Sequence, residues 1–442
     1  MSWWPFAHND KNVHNTVKVP IVFVPGVMGT KLSLSPMDWD PDKFFGLYFW
    51  WKWGHAKQNQ KMAACGNRQG EPDVVMDANK NNGFGSVAAS FYKDFLNDLK
   101  NHPFNPAITP VYAVGYDWRL SLSDAASYLK GRILQILSDE NAKRAVIITH
   151  SMGGLVSRTM FKQHPETQSS IAGAIHVVQP VAGAVVLYRR FFTGMQDALD
   201  GSDLASKVLN SALGRAPGDF AMLMSILPGP MQLCPTGYYQ RGSGWLNIHR
   251  DGFPAVLPQD QSIYDAYANA ISPPGIYNES LDNSETTKSG LQNLIGEAKE
   301  LHGWLQTSML EGKTKAIYAT GLNTDVAISF LQPPQAVNLG VAQSTTPSVT
   351  VPGPFFADGL SVVPDQESEG DGTVPQNSAN VLFPGEAYDL SDDINDPDNH
   401  QFAVPNVAHA DAFTSKASGT VWPGVYQLVQ QAINQAIADL AK

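Results

Sequence analysis

The chain has 442 residues, 43% of them hydrophobic and 16% charged, with 30 Lys+Arg against 41 Asp+Glu for a formal net charge of −11 at pH 7. So much apolar material with so little charge excludes a largely disordered chain. The negative balance gives no electrostatic basis for binding nucleic acid or an anionic membrane surface. The two cysteines, Cys65 and Cys234, cannot build a disulfide framework. Residues 1–11 lack the charged start and apolar stretch of a secretory signal, and no run reaches the ~18 apolar residues of a membrane span. The expectation is a soluble protein, cytoplasmic or exported by a route that needs no cleaved signal.

In chain order, the first predicted strand covers residues 18–24. Residues 34–104 then interrupt the pattern and carry an aromatic run from Phe44 to Trp53 that includes Trp50, Trp51 and Trp53. Strands follow at 111–116, 144–149, 173–178 and 315–320. A helix at 123–137, with Ser123 or Asp124 as its N-cap, carries Leu129, Ile133, Ile136 and Leu137 at helical spacing. Residues 190–312 read as a largely helical cap, with Leu291, Leu294, Ile295, Ala298, Leu301, Trp304 and Leu305 on one face. Residues 332–356 form a long Pro/Ser/Thr-rich loop, and a last helix begins near Gly424. Short apolar runs alternating with helical patterns predict an α/β fold. Its mostly parallel central sheet would have helices on both faces and inserted lid or cap segments, all in a single domain over 1–442.

One segment stands out chemically. Ala145-Val146-Ile147-Ile148 runs through Thr149-His150 into Ser151, followed by Met152-Gly153-Gly154-Leu155 and a helical pattern. Strand, sharp turn and helix around a serine are the context of a nucleophile elbow, where small neighbours let the hydroxyl project above the sheet edge. Thr149 stands where the usual pattern has its first glycine. The competing reading is a serine that only caps a helix.

A serine needs a neighbouring base. On this architecture the partners follow in the order Ser, acid, His. His409 lies on a loop shortly before the last helix, where the base belongs, with His400 as runner-up. For the acid, Asp371 sits in Gly370-Asp371-Gly372-Thr373-Val374-Pro375, where flanking glycines let one carboxylate point out of a tight turn. The alternative is a turn aspartate that bonds only its own backbone. Oxyanion donors are expected from the N–H groups of Val27, in the glycine-rich turn after the first strand, and of Met152.

Val24-Pro25-Gly26-Val27-Met28-Gly29-Thr30-Lys31-Leu32, Gly115-Tyr116-Asp117-Trp118-Arg119-Leu120, His150-Ser151-Met152-Gly153-Gly154 and Gly370-Asp371-Gly372-Thr373-Val374-Pro375 occur in this order. Together they resemble the lecithin:cholesterol acyltransferase family, which includes lysosomal and bacterial phospholipases. Ala319-Thr320-Gly321-Leu322-Asn323-Thr324 is similar to a further family segment. The resemblance implies an α/β-hydrolase fold and action on acyl esters of lipids. It puts Ser151, Asp371 and His409 at the triad positions, and it supports Val27 and Met152 as oxyanion donors. No cofactor is implied. The lone Cys65 near the first insertion leaves no disulfide within that segment.

Other features bear on substrate. Asp117 and Arg119, two apart at the end of a predicted strand, suit an ion pair bracing the site floor. Trp50, Trp51 and Trp53 suit either a lid in transient contact with a lipid–water interface or a satellite core under the cap. Met222 suits an acyl passage or plain core packing. Asp389, Ser391, Asp393, Asn395, Asp396 and Asp398 form an acidic loop with some likeness to calcium-ligand spacing. Ile394 fills its glycine position and no closing Glu follows, so it reads as a solvated loop. The residues thus point to a serine ester hydrolase of lipid acyl esters. An acyltransferase to a sterol or other lipid alcohol and a non-catalytic hydrolase-like scaffold are the alternatives.

Overall fold

The computed structural model describes residues 17–34, 38–43, 74–101, 104–193, 227–235, 238–239, 245–249, 284–305, 310, 312–331, 349–350, 361–380, 388–389, 394, 396 and 398–440. The strands are β1 (Ile21–Val24), β2 (Val111–Ala113), β3 (Ala145–His150), β4 (Ile171–Val177), β5 (Leu246–His249), β6 (Thr314–Thr320), β7 (Thr324–Leu331), β8 (Val349–Thr350), β9 (Ser361–Glu367), β10 (Tyr388–Asp389) and β11 (Gln401–Pro405). The helices are α1 (Ala89–Asn101), α2 (Leu122–Asp139), α3 (Met152–Gln163), α4 (Val185–Thr193), α5 (Pro228–Met231), α6 (Ser284–Leu305), α7 (Gln376–Ala379) and α8 (Val421–Leu440).

Seven strands form one sheet in the order β10-β11-β6-β4-β3-β1-β2, with every pair parallel. The α/β expectation is met. β3 lies between β1 and β4 with all six residues buried, which is why its sequence is apolar on both faces. Two core layers flank the sheet. One joins α2 and α3 through Leu129, Ile133, Leu155 and Val156 to Val22 and Ile147. The other joins α1 and α8 through Phe95, Leu99, Val425 and Val429 to Phe23 and Ile148.

A four-stranded sheet, ordered β5-β7-β9-β8, stands apart from the first. The sequence reading did not contain it. β9 pairs antiparallel with β7, and Pro364 sits opposite Ile328 within that ladder. A proline inside a short run hides a strand from pattern reading. Residues 246–249, read as part of a helical cap, supply β5.

Helix α1 also lies inside a segment read as an interruption, yet it buries Tyr92, Phe95, Leu96 and Leu99 against the sheet. Its N-terminus is capped from far away. The two Asp42 carboxylate oxygens accept the N–H groups of Ala89 and Ser90 at 2.7 and 2.8 Å. Helix α2 starts earlier than expected. Its N-cap is Ser121, whose hydroxyl accepts the N–H of Asp124 at 3.1 Å, because Leu122 already belongs to the buried face. Among the described residues no helix is long and apolar enough to cross a membrane.

His302 of α6 is fully buried, with Nε2 donating to the Gln232 carbonyl at 2.7 Å. Burial pushes this imidazole down to about 4, so it folds neutral. The unfolded chain, with an ordinary histidine near 6.5, binds the proton first, and stability falls as pH drops from about 6.5 toward 4. The loss from this one group amounts to roughly 3 kcal/mol once pH is below both values. Urea unfolding of the wild type at pH 7.5 and pH 5 should therefore show an acid loss, and His302→Gln should reduce it by about 2 kcal/mol, leaving the part due to the other buried histidines.

Candidate functional site

The site is built where β3 ends. Ser151 follows the strand directly and takes φ 50°, ψ −124°, a backbone conformation that side chains rarely adopt. Its N–H donates to the Val177 carbonyl at 3.0 Å, and its own carbonyl accepts the N–H of Gly154 at 2.9 Å, which starts α3. Gly153 has no alternative at this turn. A Cβ there would come within 2.5 Å of the Pro25 carbonyl oxygen and 2.6 Å of the Val24 carbonyl oxygen. Thr149, at the first glycine position of the usual pattern, is accommodated because its hydroxyl turns to His176 Nδ1 at 2.9 Å. The tight backbone contact falls at Gly153 and at Gly26, where a Cβ would meet Ser151 Cβ and His150 Nδ1 at 3.0 Å.

Three side chains remote in sequence meet above this turn. The Ser151 hydroxyl lies 2.8 Å from His409 Nε2, and His409 Nδ1 lies 2.7 Å from Asp371 Oδ2. A carboxylate only accepts, so Nδ1 carries the imidazole proton and Nε2 is left to accept from the serine. Asp371 is buried and divides its oxygens. Oδ1 takes the N–H groups of Thr373 and Val374 at 2.9 and 2.6 Å, while Oδ2 faces the histidine. Asp371 thus bonds both its own turn and the ring of a histidine. His409 is held through its main chain as well, its N–H donating to the Asp371 carbonyl at 3.0 Å.

His400 is elsewhere. It precedes β11, with Nδ1 3.3 Å from the carbonyl of Thr314 at the start of β6. That is the opposite end of the parallel sheet from Ser151, which follows the last residue of β3.

Met152 directly follows the serine, and Val27 lines the same cavity as Ser151. Gly26 to Gly29 form a turn closed by the Gly29 N–H to the Gly26 carbonyl at 3.1 Å, with Met28 at φ 61°. Among the described residues neither the Val27 nor the Met152 N–H has an acceptor. A cavity of about 130 Å³ opens beside Ser151 and His409, lined by Val27, Met28, Leu187, Pro230, Leu233 and Val374 among others, with Arg190 as its charged member.

Asp117 and Arg119 form the expected pair, but on a turn beyond β2 and not within a strand. Arg119 Nε and Nη2 donate to the two Asp117 oxygens at 2.8 and 2.6 Å, and both residues are buried. The Arg119 carbonyl accepts the N–H of Gly229, the neighbour of Pro230 in the cavity lining.

Tyr92 was absent from the sequence reading. Its hydroxyl lies 3.1 Å from the N of Gly26 and 2.9 Å from His150 Nδ1. Trp50, Trp51, Trp53 and Met222 lie outside the described residues, as do Ser391, Asp393 and Asn395 of the acidic loop. In that loop Asp396 Oδ1 accepts the N–H of Asp398, and no group of three metal-ligating side chains occurs among the described residues.

Comparison with known proteins adds to this geometry. The family model for lecithin:cholesterol acyltransferase matches residues 84–234. That span runs from within the first interruption through the elbow to the cavity wall. An uncharacterized protein of Saccharomyces cerevisiae is 36% identical over 83 residues, which is 19% of this chain and 12% of that protein. Among solved structures, the Tle4–Tli4 complex superposes with a TM-score of 0.67 at 18% identity, covering 95% of this chain and 99% of that one. Lipase BlEst2 of Bacillus licheniformis gives a looser TM-score of 0.35 at 11% identity, over 96% of this chain and 95% of that one. The chain is thus an α/β-hydrolase fold that resembles the lecithin:cholesterol acyltransferase family through its segment 84–234.

Proposed function

We propose that the protein is a serine ester hydrolase acting on acyl esters of lipids, with Ser151 as nucleophile, His409 as base and Asp371 as the acid that orients it. The observation that carries this reading is the chain of contacts from Ser151 Oγ through the His409 ring to Asp371 Oδ2, at 2.8 and 2.7 Å, beside a mostly apolar cavity. The family match at residues 84–234 supports the lipid acyl class.

In the first half-reaction His409 Nε2 takes the serine proton while Oγ bonds to the acyl carbon. The carbonyl oxygen becomes an oxyanion stabilised by the Val27 and Met152 N–H groups. The imidazolium is held by Asp371 and passes its proton to the leaving alkoxide as the ester bond breaks. Water then attacks the acyl-enzyme with His409 again as base, releasing the acid and the free serine. A lipid alcohol entering in place of water would give acyl transfer. The match to an acyltransferase family favours keeping this second reading. Incubating the protein with labelled phospholipid, with and without cholesterol, separates the two by whether a sterol ester forms.

On p-nitrophenyl butyrate, Ser151→Ala and His409→Ala should each lose about 10⁴-fold or more in kcat, and Asp371→Asn should fall nearly as far. His400→Ala should stay within about threefold of the wild type, being remote from the chemistry. Equal rates for the wild type and Ser151→Ala would remove the assignment.

Val27→Pro tests the oxyanion role by itself. Val27 is the second residue of its turn, where proline is well tolerated, so the substitution deletes one N–H and little else. The expected loss is about 10²- to 10³-fold in kcat with KM nearly unchanged. A kcat close to wild type would show that this N–H does not face the oxyanion.

A further inference from the structure

The ring of His150, one residue before the serine, points away from the substrate cavity and into a buried contact with α1. Its Nε2 lies 3.0 Å from the His409 carbonyl oxygen, and its Nδ1 lies 2.9 Å from the Tyr92 hydroxyl. Tyr92 in turn lies 3.1 Å from the Gly26 nitrogen, at the start of the turn that carries Val27. Proton counting leaves one arrangement. A carbonyl oxygen only accepts, so His150 Nε2 must be the protonated nitrogen. Burial, with the neighbouring His409 ring further disfavouring a second proton, pushes the His150 imidazole down to about 3, so it holds a single proton and Nδ1 is bare. Tyr92 therefore donates its hydroxyl proton to Nδ1 and accepts the Gly26 N–H on its oxygen. Every donor is used once.

We propose that Tyr92 and His150 act together as positioning residues, a neutral hydrogen-bonded relay that ties the oxyanion turn at Gly26 to the main chain of the base at His409. This rests on the reading of Ser151 and His409 as nucleophile and base. The His409 backbone is held on both sides, its N–H by the Asp371 carbonyl and its carbonyl by His150. The same relay grips the segment that presents the Val27 N–H. Two parts of the site that come from opposite ends of the chain are thereby set at a fixed separation. Aromatic packing supports the relay without replacing it. Tyr92 contacts Phe23 and Phe413 at centroid distances of 5.0 and 6.5 Å, and Phe413 contacts the His150 ring at 5.5 Å. A displacement near 1 Å of a reacting group costs on the order of a hundredfold in rate, which is the scale on which such a tether matters.

The test measures kcat and KM separately on p-nitrophenyl butyrate, with active sites titrated by a fluorophosphonate. Tyr92→Phe keeps the ring and removes only the hydroxyl. Its kcat should fall by roughly ten- to a hundredfold with KM within about twofold. His150→Leu should fall comparably. His150→Gln can still donate to the His409 carbonyl and accept from Tyr92 through its amide, and should recover about tenfold or more over His150→Leu. Because both residues belong to one chain of bonds, Tyr92→Phe combined with His150→Leu should be no slower than His150→Leu by more than about threefold. A merely structural role would lower the titrated active fraction and the Tm, leaving kcat per active site unchanged. Fully additive losses, failure of His150→Gln to outperform His150→Leu, or wild-type kcat in Tyr92→Phe would each overturn the relay. Should His150→Leu fail to fold, Tyr92→Phe and His150→Gln decide alone. A slow Tyr92→Phe beside an active His150→Gln upholds the relay, and wild-type kcat in Tyr92→Phe or a His150→Gln as slow as Tyr92→Phe overturns it. Ser151→Ala runs in parallel. If it is as active as the wild type, the underlying site reading falls. If it is inactive while Tyr92→Phe is fully active, the relay alone falls.

Discussion

The backbone at Ser151 is the constraint around which the rest of the site is arranged. A non-glycine residue at φ 50°, ψ −124° costs on the order of 1–3 kcal/mol and persists only where its surroundings leave no alternative. Here they leave none. β3 is fixed in register between β1 and β4, the Ser151 N–H is bound to the Val177 carbonyl, and α3 begins at the next residue. The first turn of α3 then presses so closely on the carbonyls of Val24 and Pro25 that only hydrogen fits on Gly153. One turn thus fixes both the direction of the serine hydroxyl and the distance to the segment carrying Val27.

Electrostatics around that turn follow from burial. Of the four histidines His150, His176, His302 and His409, the first three are fully or almost fully enclosed, which pushes each imidazole down and leaves it neutral. Each then works as a directional hydrogen-bonding group: His150 with Tyr92 and His409, His176 with Thr149, His302 with Gln232. His409 alone of the four faces a carboxylate, and it keeps partial access to the cavity. That environment suits the base role proposed for His409, and the enclosed three lack it.

The loop around Asp371 shows how one small motif serves two needs. In Gly370-Asp371-Gly372-Thr373-Val374-Pro375, Oδ1 of Asp371 closes its own turn through two N–H groups, which fixes the carboxylate plane, and Oδ2 is left for His409. Gly372 at φ 84° supplies the backbone freedom for that turn. The Leu322 to Asp371 bridge links the loop to the segment between β6 and β7, so the second sheet helps set where the carboxylate stands.

What could be read along the chain was what is local. The elbow declares itself because a fully buried strand, a small-residue turn and a helix occupy consecutive positions around Ser151, and the glycine-flanked Asp371 and the loop histidine His409 carry their own short-range signatures. The parallel sheet was legible for the same reason, since central strands are apolar on both faces. Contacts between distant segments were not legible. Tyr92 has the same helical spacing as Phe95, Leu96 and Leu99, and nothing near it announces a hydroxyl bonded 58 positions away. Asp42 caps α1 across 47 residues, so that helix has no start signal of its own, and Pro364 disguises β9. Periodicity and turn chemistry are properties of neighbouring residues and are written in the sequence. Which donor meets which acceptor across the sheet depends on how whole layers pack, and only the folded chain decides that.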